Sequence, residues 1–356
     1  MTWSSAAPPV LEAVGLARPS KRITGIVNHE IIVEYDLSGN LLHVLCRDEG
    51  STYCPGTDYT PDLFWDEGVY VHHDVQIVNN MLFALNAKEL LVPDVDDCDG
   101  DWNSTENKYM ILDGVYGFDL AGPTLEVDWD WTDAASMTMD YTAFVAAADC
   151  ISSYWNPASG LLLRGTDVLH TNSLWVDVAE QWMLSSKAQS DVFSIDRDMY
   201  SGTYNDVISQ IDGAGTVGDW TFDASPTNPV AFNDQHAAHW GPLGDLVLFD
   251  NHAGGDTRGV VYSLDTYAME IDAIEQYTML DDSSATIACL FGGSAWLTLG
   301  GNAFLTCPMA NGTEHAVLNE FDGSDNVIWT VQMECDPGSP DYDPVGSAFR
   351  GYANAL

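Results

Sequence analysis

The sequence predicts an all-β protein built as a β-propeller, and three observations support this fold class. β-Branched and aromatic runs begin at Ile23 and continue almost to the end of the 356-residue chain, while amphipathic helical periodicity is nearly absent. A segment of the form apolar–x–apolar–Asp, followed by a turn and a second apolar run, recurs five times. A different hairpin precedes four of these copies, so two kinds of hairpin alternate as the four-stranded blades of a propeller require.

The repeated aspartates predict one turn of the same kind in every blade. A carboxylate in the first position of a turn accepts hydrogen bonds from backbone N–H groups two residues further on. The copies are Asp36 in VEYDLSGNLLHVL, Asp119 in VYGFDLAGPTLEVDW, Asp196 in VFSIDRDMYSGTY, Asp265 in VVYSLDTYAMEI and Asp322 in LNEFDGSDNVIWTVQM. Their spacing of roughly 60 to 80 residues exceeds the ~40–45 residues of compact propeller repeats, which leaves room for loops.

The pattern predicts a single propeller domain over residues 23–356, preceded by a loose, Ala/Pro/Ser-rich leader over residues 1–22. Five blades are countable. Four are complete, and in the fifth the Asp36 hairpin is joined by a strand from Ser347–Leu356 that closes the ring. Residues 122–169 have room for a sixth blade. A β-sandwich, or a pair of β domains, is the alternative architecture.

The charge of the chain excludes some classes of partner. With 54 acidic and 11 basic residues the formal net charge is -43, which repels nucleic-acid backbones and anionic lipid. No apolar run approaches the length of a membrane span. We therefore expect no nucleic-acid binding and no membrane insertion, and the charge suits a secreted protein or a high-salt environment. The oligomeric state is left open.

Metal binding is weakly supported by the sequence. The seven cysteines form no CxxC pair and no zinc spacing. Asp94–Asp101 (DVDDCDGD) alternates carboxylates like a fragment of a calcium loop, but it lacks the bidentate Glu that ends an EF-hand loop. We predict a solvated acidic loop there, with a bound calcium ion as the alternative, and no other metal site or cofactor.

Two pairs of cysteines are placed to form disulfides. Cys46 and Cys54 flank a short loop, and Cys289 and Cys307 lie at opposite ends of one predicted hairpin. Either bridge would fit an oxidising compartment. Met1–Pro19 has neither the basic start nor the apolar segment of an intact signal peptide. We therefore expect a mature form that is secreted or periplasmic.

Three histidines occupy matching positions at the start of a predicted strand: His73 in YVHHDVQ, His170 in VLHTNSLWVD and His236 in NDQHAAHW. The first strand of each propeller blade lines the central channel, so residues at its start converge near one mouth. A lone histidine in such a position is usually structural, but packing does not demand three matches. We predict that the three imidazoles form one site.

Polar residues beside these hairpins are further candidates for the site: Lys187, Asn172, Gln235, Asn251, Arg258 and Asp74. Lys187 could extend towards the channel or be a solvated loop lysine. Asn172 and Gln235 could donate to an anion, and Asp74 could orient an imidazole. Imidazoles and cations gathered in an acidic protein suit a small oxyanion. An imidazole can also form a covalent N-linked intermediate.

These segments together resemble the bacterial, PAPS-independent arylsulfate sulfotransferases. The matching motifs occur in order over roughly residues 25–356: YVHHDVQ, VLHTNSLWVD, MLSSKAQSDVFSID, NDQHAAHW and LVLFDNHAGGDTRGVVYSLD. The resemblance implies a six-bladed propeller that uses neither a nucleotide nor a metal. The chain departs from the family pattern at three positions. Lys187 stands where the pattern has arginine, Ala237 where it has aspartate, and His252 where it has glycine.

The resemblance also implies transfer of a sulfuryl group from an aryl sulfate donor to a phenolic acceptor by a ping-pong cycle. His236 would accept the group as a sulfohistidine, while His73 and His170 would hold sulfuryl oxygens and help to protonate the departing phenolate. We add Lys187 to this catalytic group. Substrate-binding residues are predicted at Asn172, Asn251 and Arg258. The alternatives are a hydrolase and a non-catalytic propeller that binds an anion or a protein at the channel mouth.

Overall fold

Twenty-three strands form five sheets in the described part of the computed structural model. The described residues are 11–17, 22–27, 31–36, 38, 40–47, 62–65, 69–92, 108–122, 124–134, 166–167, 169–177, 179, 181–213, 218–222, 231–252, 256–289, 292–308, 310–311 and 315–334. Each sheet contains four antiparallel strands in chain order, and the sheets are five blades of a β-propeller. Within these residues, no helix is long and apolar enough to cross a membrane.

The first blade is built entirely from the N-terminal part of the chain. Its strands are β1 (Leu11–Ala17), β2 (Arg22–Val27), β3 (Ile31–Asp36) and β4 (Leu41–Arg47), with β5 (Leu63–Trp65) parallel to β4. The predicted leader over residues 1–22 was therefore wrong from Leu11 onward. β1 and β2 supply the hairpin that the sequence pattern did not show in front of Asp36. The segment LEAVGLA is rich in Ala and Gly, which are depleted in strands, so no strand was predicted at β1.

The other four blades follow the predicted alternation of hairpins. The second contains β6 (Val69–Val78), β7 (Met81–Val92), β8 (Lys108–Asp119) and β9 (Thr124–Asp130), with β10 (Thr166–Asp167) parallel to β8. The third contains β11 (Thr171–Val176), β12 (Trp182–Ser186), β13 (Asp191–Ile195) and β14 (Val207–Asp212). The fourth contains β16 (His236–Trp240), β17 (Leu246–Asp250), β18 (Arg258–Asp265) and β19 (Glu270–Thr278), with β15 (Thr221–Phe222) parallel to β19. The fifth contains β20 (Ser294–Leu297), β21 (Ala303–Cys307), β22 (His315–Phe321) and β23 (Val327–Glu334).

Some predictions fall on segments outside the described residues. These are the acidic loop Asp94–Asp101, most of the region with room for a sixth blade (residues 135–165) and the closing segment Ser347–Leu356. Cys46 is disulfide-bonded, and its predicted partner Cys54 lies outside the described residues as well. The sixth blade, the C-terminal closure and the character of the acidic loop therefore remain predictions.

The repeated aspartates close the turn between the third and fourth strands of every described blade. In each copy Oδ1 accepts a hydrogen bond of 2.8–2.9 Å from the backbone N–H two residues further on. The donors are Ser38, Ala121, Asp198, Tyr267 and Ser324. The predicted geometry is confirmed, and the repeat marks the same point in each blade.

The hydrophobic core lies between neighbouring blades. Each of four large clusters of buried side chains draws on two consecutive sheets. Between the second and third blades, for example, Phe83 and Trp129 both pack against the ring of Trp182. The first strands β1, β6, β11, β16 and β20 pack side by side in that order. The strands that carry or follow the three predicted histidines are thereby neighbours: His73 lies in the middle of β6, His170 immediately before β11 and His236 at the start of β16.

Asp191, at the start of β13, is a buried carboxyl whose ionisation opposes folding. Burial raises the pKa of Asp191 from an ordinary 3.8 to about 7, against a hydrogen bond from Gln210 and with help from the charge of Asp212. The folded chain keeps a proton that the unfolded chain releases, so stability falls as the pH rises between these two values. Asp191→Asn is expected to remove this slope and to raise the free energy of unfolding near pH 8 by up to roughly 4 kcal/mol.

Urea denaturation at a series of pH values tests this expectation. Asp265→Asn is the matched control, because the pKa of that exposed turn carboxyl is lowered by backbone hydrogen bonds from Ala268 and Tyr267. Its contribution to stability is present at neutral pH and is lost on acidification, which is the opposite dependence. An Asp191→Asn variant that is no more stable than the native chain near pH 8 would show that Asp191 ionises normally.

Candidate functional site

The three predicted histidines lie where the first strand of a blade departs from regular geometry. His73 and His170 have positive φ values of 51° and 46°. Around His236, Asp234 and Ala237 have φ values of 52° and 54°. The pairing register of β6, β11 and β16 shifts at the same places. Such bulges change the direction of side chains and are common beside functional sites. The same local irregularity therefore turns a polar group out of the sheet in each of three blades.

His73 and His170 are in contact across the second and third blades. Their ring centroids are 5.2 Å apart at an angle of 67°. Nδ1 of His170 lies 2.7 Å from Oδ2 of the buried Asp167, in β10. Burial alone would lower the pKa of His170, but the carboxylate of Asp167 outweighs this effect and raises the pKa despite the opposing charge of Lys187. His170 therefore holds its proton more tightly than a free imidazole does.

Lys187 connects His170 with the strand that carries His236. Its backbone N–H donates to the His170 carbonyl oxygen at 3.1 Å. Its Nζ lies 3.9 Å from Oδ1 of Asp234, and 20% of its side chain is exposed. The carbonyl oxygen of Asp234 in turn lies 3.0 Å from Nδ1 of His236. The predicted catalytic residues thus lie along one chain of contacts that runs across three blades.

His236 begins β16 and is buried, with 4% of its surface exposed. Its Nδ1 lies 2.7 Å from Oδ1 of Asn251 and 3.0 Å from the Asp234 carbonyl oxygen. The amide nitrogen of Asn251 donates to the carbonyl oxygens of Cys289 at 2.8 Å and Gly292 at 2.9 Å, so Oδ1 must face the imidazole. Both neighbours of Nδ1 are acceptors. This nitrogen therefore carries the ring proton, and the lone pair is on Nε2.

The segment before β20 holds Asn251 in this orientation. Cys289 is joined to Cys307 of β21 by a disulfide, which is one of the two bridges that the sequence predicts. Gly293 has a φ of 106°, and a Cβ atom there would overlap the Phe249 ring, so only glycine fits. Asn251 is therefore a residue that positions His236, whereas the sequence assigned it to substrate binding.

Arg258 makes its contacts with other residues of the fourth blade and the segment before it. Its guanidinium binds the Asp250 carboxylate at 2.8 and 2.9 Å, the Gln276 side chain at 2.7 Å and the Ala231 carbonyl oxygen at 2.8 Å. These contacts neutralise a fully buried carboxylate, which otherwise would be strongly unfavourable. The prediction that Arg258 binds substrate is not supported, because the group has a structural role in the fourth blade.

Three other polar candidates tie neighbouring blades together. Asn172 donates its amide N–H to the Gln235 carbonyl oxygen at 2.6 Å. The Gln235 amide donates to three acceptors of the third blade at 2.9–3.1 Å, so the prediction that it donates to an anion is not supported. Asp74 accepts the backbone N–H groups of Val75 and Leu174, each at 3.0 Å. Asn172 remains beside the His236 strand, with one N–H committed to that strand.

Sequence reasoning missed the residues behind the histidines: His72, Asp113, Asp167 and Asp234. Nδ1 of His72 lies 2.7 Å from Nδ1 of His73, and its Nε2 lies 3.4 Å from Oδ1 of Asp113. His72 and Asp113 are both buried. The doubled histidine in YVHHDVQ was the available signal for His72. Asp113 carries no local signal, because strand pairing brings it to His72, whereas Asp167 and Asp234 lie three and two residues before His170 and His236.

Aromatic rings fill the space further along β11, β16 and β20. His239 stacks on Trp296 with centroids 3.9 Å apart, and Trp175 lies 5.3 Å from His239 and 5.8 Å from Trp296. A small cavity beside these rings is lined also by Asp74 and Gln76. His239, the second histidine of QHAAHW, is thus a packing residue. No group of three or more His, Cys, Asp or Glu side chains in the described segments is arranged to hold a metal ion.

No protein-family model and no curated protein matches this chain. Among solved structures, it is similar to a protein of unknown function from Bacteroides caccae, with a TM-score of 0.45 and 8% identity over 93% of this chain and 84% of that chain. It is also similar to the β-propeller domain of Myceliophteria thermophila Cps50 (Swd1), with a TM-score of 0.44 and 8% identity over 94% and 90% of the two chains. Similarities at this level carry no argument about function.

Proposed function

We propose that this chain transfers a sulfuryl group from an aryl sulfate to a phenol through a sulfohistidine at His236. The protonation pattern of His236 carries the proposal. Nδ1 faces the Asn251 and Asp234 oxygens, so the lone pair is on Nε2. An imidazole whose lone pair is fixed on one nitrogen is a competent nucleophile, and a covalent intermediate divides a difficult transfer into two easier steps.

In the first step Nε2 of His236 forms a bond to sulfur while the bond between sulfur and the aryl oxygen breaks. The electron pair of the broken bond stays on the phenolate, which takes the proton of His170. The raised pKa of His170 supports this assignment, since the ring then holds its proton to a higher pH than a free imidazole does. Nδ1–H of the sulfated ring continues to donate to Asn251, so the imidazolium charge that develops lies against two oxygens.

In the second step a phenol acceptor occupies the position that the first phenol has left. Its O–H proton returns to His170, its oxygen attacks sulfur, and the N–S bond breaks to regenerate neutral His236. Lys187 lies between the His170 and His236 strands, where its charge offsets that of the sulfuryl group. Lysine supplies a point charge without the bidentate geometry of arginine. No nucleotide or metal takes part in the proposed cycle.

The proposed setting is an oxidising compartment outside the cytoplasm. The Cys289–Cys307 disulfide and the disulfide of Cys46 support it, because such bonds persist mainly in exported proteins. The net charge of -43 fits small-molecule substrates rather than nucleic acid. Binding of the anionic donor then depends on the local cations of the site.

One observation favours a second candidate function. His236 is buried, whereas His170 and Lys187 are partly exposed. A non-catalytic propeller would bind a small oxyanion or an acidic group of a partner through the exposed residues, with His236 only supporting them. No bond to sulfur would form in that case.

Incubation with p-nitrophenyl sulfate, with and without phenol, tests the proposal. We expect nitrophenolate release that depends on the acceptor. With donor alone, the peptide that contains His236 should gain the mass of one SO₃ group. Release without acceptor would indicate a hydrolase. Absence of release under every condition, together with saturable sulfate binding, would overturn the proposal in favour of the binding propeller.

A further inference from the structure

The pair formed by His72 and His73 constrains its own protons. The two Nδ1 atoms are 2.7 Å apart, with the rings at 86° and their centroids 4.9 Å apart. Two lone pairs at this distance repel, and so do two N–H groups. A hydrogen bond therefore requires that one ring donates its Nδ1 proton and the other accepts it. The remaining question is which ring donates.

Asp113 answers this question. Its Oδ1 lies 3.4 Å from Nε2 of His72, and both side chains are at most 1% exposed. Its other oxygen accepts the backbone N–H of Thr171 at 2.7 Å, so the carboxylate is fixed from the third blade. A negative charge at this distance in a buried region strongly favours a proton on the facing nitrogen. His72 then carries its proton on Nε2, accepts at Nδ1, and makes His73 the donor.

We propose that His72, held by Asp113, is a positioning residue that places the proton of neutral His73 on Nδ1 and its lone pair on Nε2. The opposite arrangement would turn the lone pair of His72 Nε2 towards a carboxylate. His73 thus differs from His170, whose Nδ1 is bound to Asp167 and whose raised pKa favours the doubly protonated ring. The carboxylates behind two imidazoles in contact thus act differently: Asp113 fixes a tautomer through His72, and Asp167 strengthens the hold of His170 on its proton.

This arrangement specifies what His73 does in the site, and that part of the inference rests on the proposed function. With Nδ1–H donated to His72, a neutral His73 has an acceptor at Nε2 and only a protonated His73 has a second donor. His73 therefore holds a sulfuryl oxygen only as a cation. His170, which keeps its proton to a higher pH, is the residue that this arrangement assigns to protonate the departing phenolate.

The test uses long-range ¹H–¹⁵N NMR on histidine-labelled protein, in which the protonated and unprotonated ring nitrogens have distinct shifts. We expect Nε2–H for His72 and Nδ1–H for His73 at a pH where both are neutral. In Asp113→Asn the amide oxygen keeps the Thr171 hydrogen bond, so the amide N–H₂ faces His72 Nε2. Both protons should then move to the opposite nitrogens, giving His72 Nδ1–H and His73 Nε2–H.

Two further variants complete the NMR test. Asp130→Asn changes a buried carboxylate of the same blade that pairs with Lys88, and it should leave both tautomers unchanged. His72→Gln should leave His73 as a mixture of tautomers and lower the transfer rate about tenfold, as the loss of an outer partner of a functional histidine does. An unchanged His73 in Asp113→Asn would overturn the inference. Because the NMR signals do not depend on turnover, failure of the sulfotransferase proposal would remain distinguishable.

Discussion

Replacing His236 by alanine is expected to lower transfer from p-nitrophenyl sulfate to phenol by at least about 10³-fold, because the bond to sulfur can no longer form. The imidazole lies among Asn251, Asp234 and the β16 backbone, and an alanine side chain offers no lone pair in its place. The initial rate of acceptor-dependent nitrophenolate release measures the effect. The SO₃ adduct on the corresponding peptide should disappear at the same time.

His239→Ala is the matched control for this experiment. His239 lies three residues further along the same strand, is buried to a similar extent and stacks on Trp296. Its removal should destabilise the fourth blade through lost packing while the rate of transfer stays within a few fold of the native rate. Full transfer by His236→Ala would rule out His236 as the nucleophile. An equal loss of transfer in both variants would mean that the effect of His236→Ala is structural.

Much of the fold was predictable because each repeat contains a short sequence pattern that determines its own turn. An aspartate that closes a turn two residues on needs no distant partner, so Asp36 and its four counterparts marked the third and fourth strands of each blade. The elements that were missed lack such a pattern. The Ala and Gly residues of β1 leave it without a recognisable strand pattern. β10 and β15 are two-residue strands that form only by parallel pairing with another strand. A pairing of this kind leaves no periodicity in its own sequence.

The candidate site likewise has features that the repeat pattern predicts and features that depend on residues far away in sequence. Equivalent positions in a repeat converge whatever their side chains are, so the contact between His73 and His170 followed from the pattern alone. The orientation of amides and cations depends instead on partners far away in sequence. Leu174 donates to Asp74 across 100 residues, and Asn251 donates to Cys289 across 38. Arg258 was assigned to substrate because it is a scarce cation, although the buried Asp250 beside it required a counter-charge.

Asn251→Ala is expected to lower transfer roughly 100-fold while His236 itself is retained. The variant removes the acceptor 2.7 Å from Nδ1 and leaves, among the described partners of that nitrogen, the Asp234 carbonyl oxygen at 3.0 Å. Part of the population would then carry the proton on Nε2, where it blocks attack on sulfur, as a wrong tautomer does in other histidine enzymes. The carbonyl oxygens of Cys289 and Gly292 also lose a donor, which should destabilise the fold by about 1–3 kcal/mol.

Asn319→Ala separates the two effects. Asn319 is a fully buried asparagine of the fifth blade that donates to the Leu280 carbonyl oxygen and Thr330 and accepts from the Leu280 N–H. Its loss should destabilise the chain by a similar amount and leave the rate of transfer unchanged below the unfolding temperature. ¹H–¹⁵N NMR should show His236 as Nδ1–H in the native chain and in Asn319→Ala, and as a mixture in Asn251→Ala. Native rates and an unchanged His236 signal in Asn251→Ala would mean that the Asp234 carbonyl oxygen alone fixes the nucleophile, and the role assigned to Asn251 would be wrong.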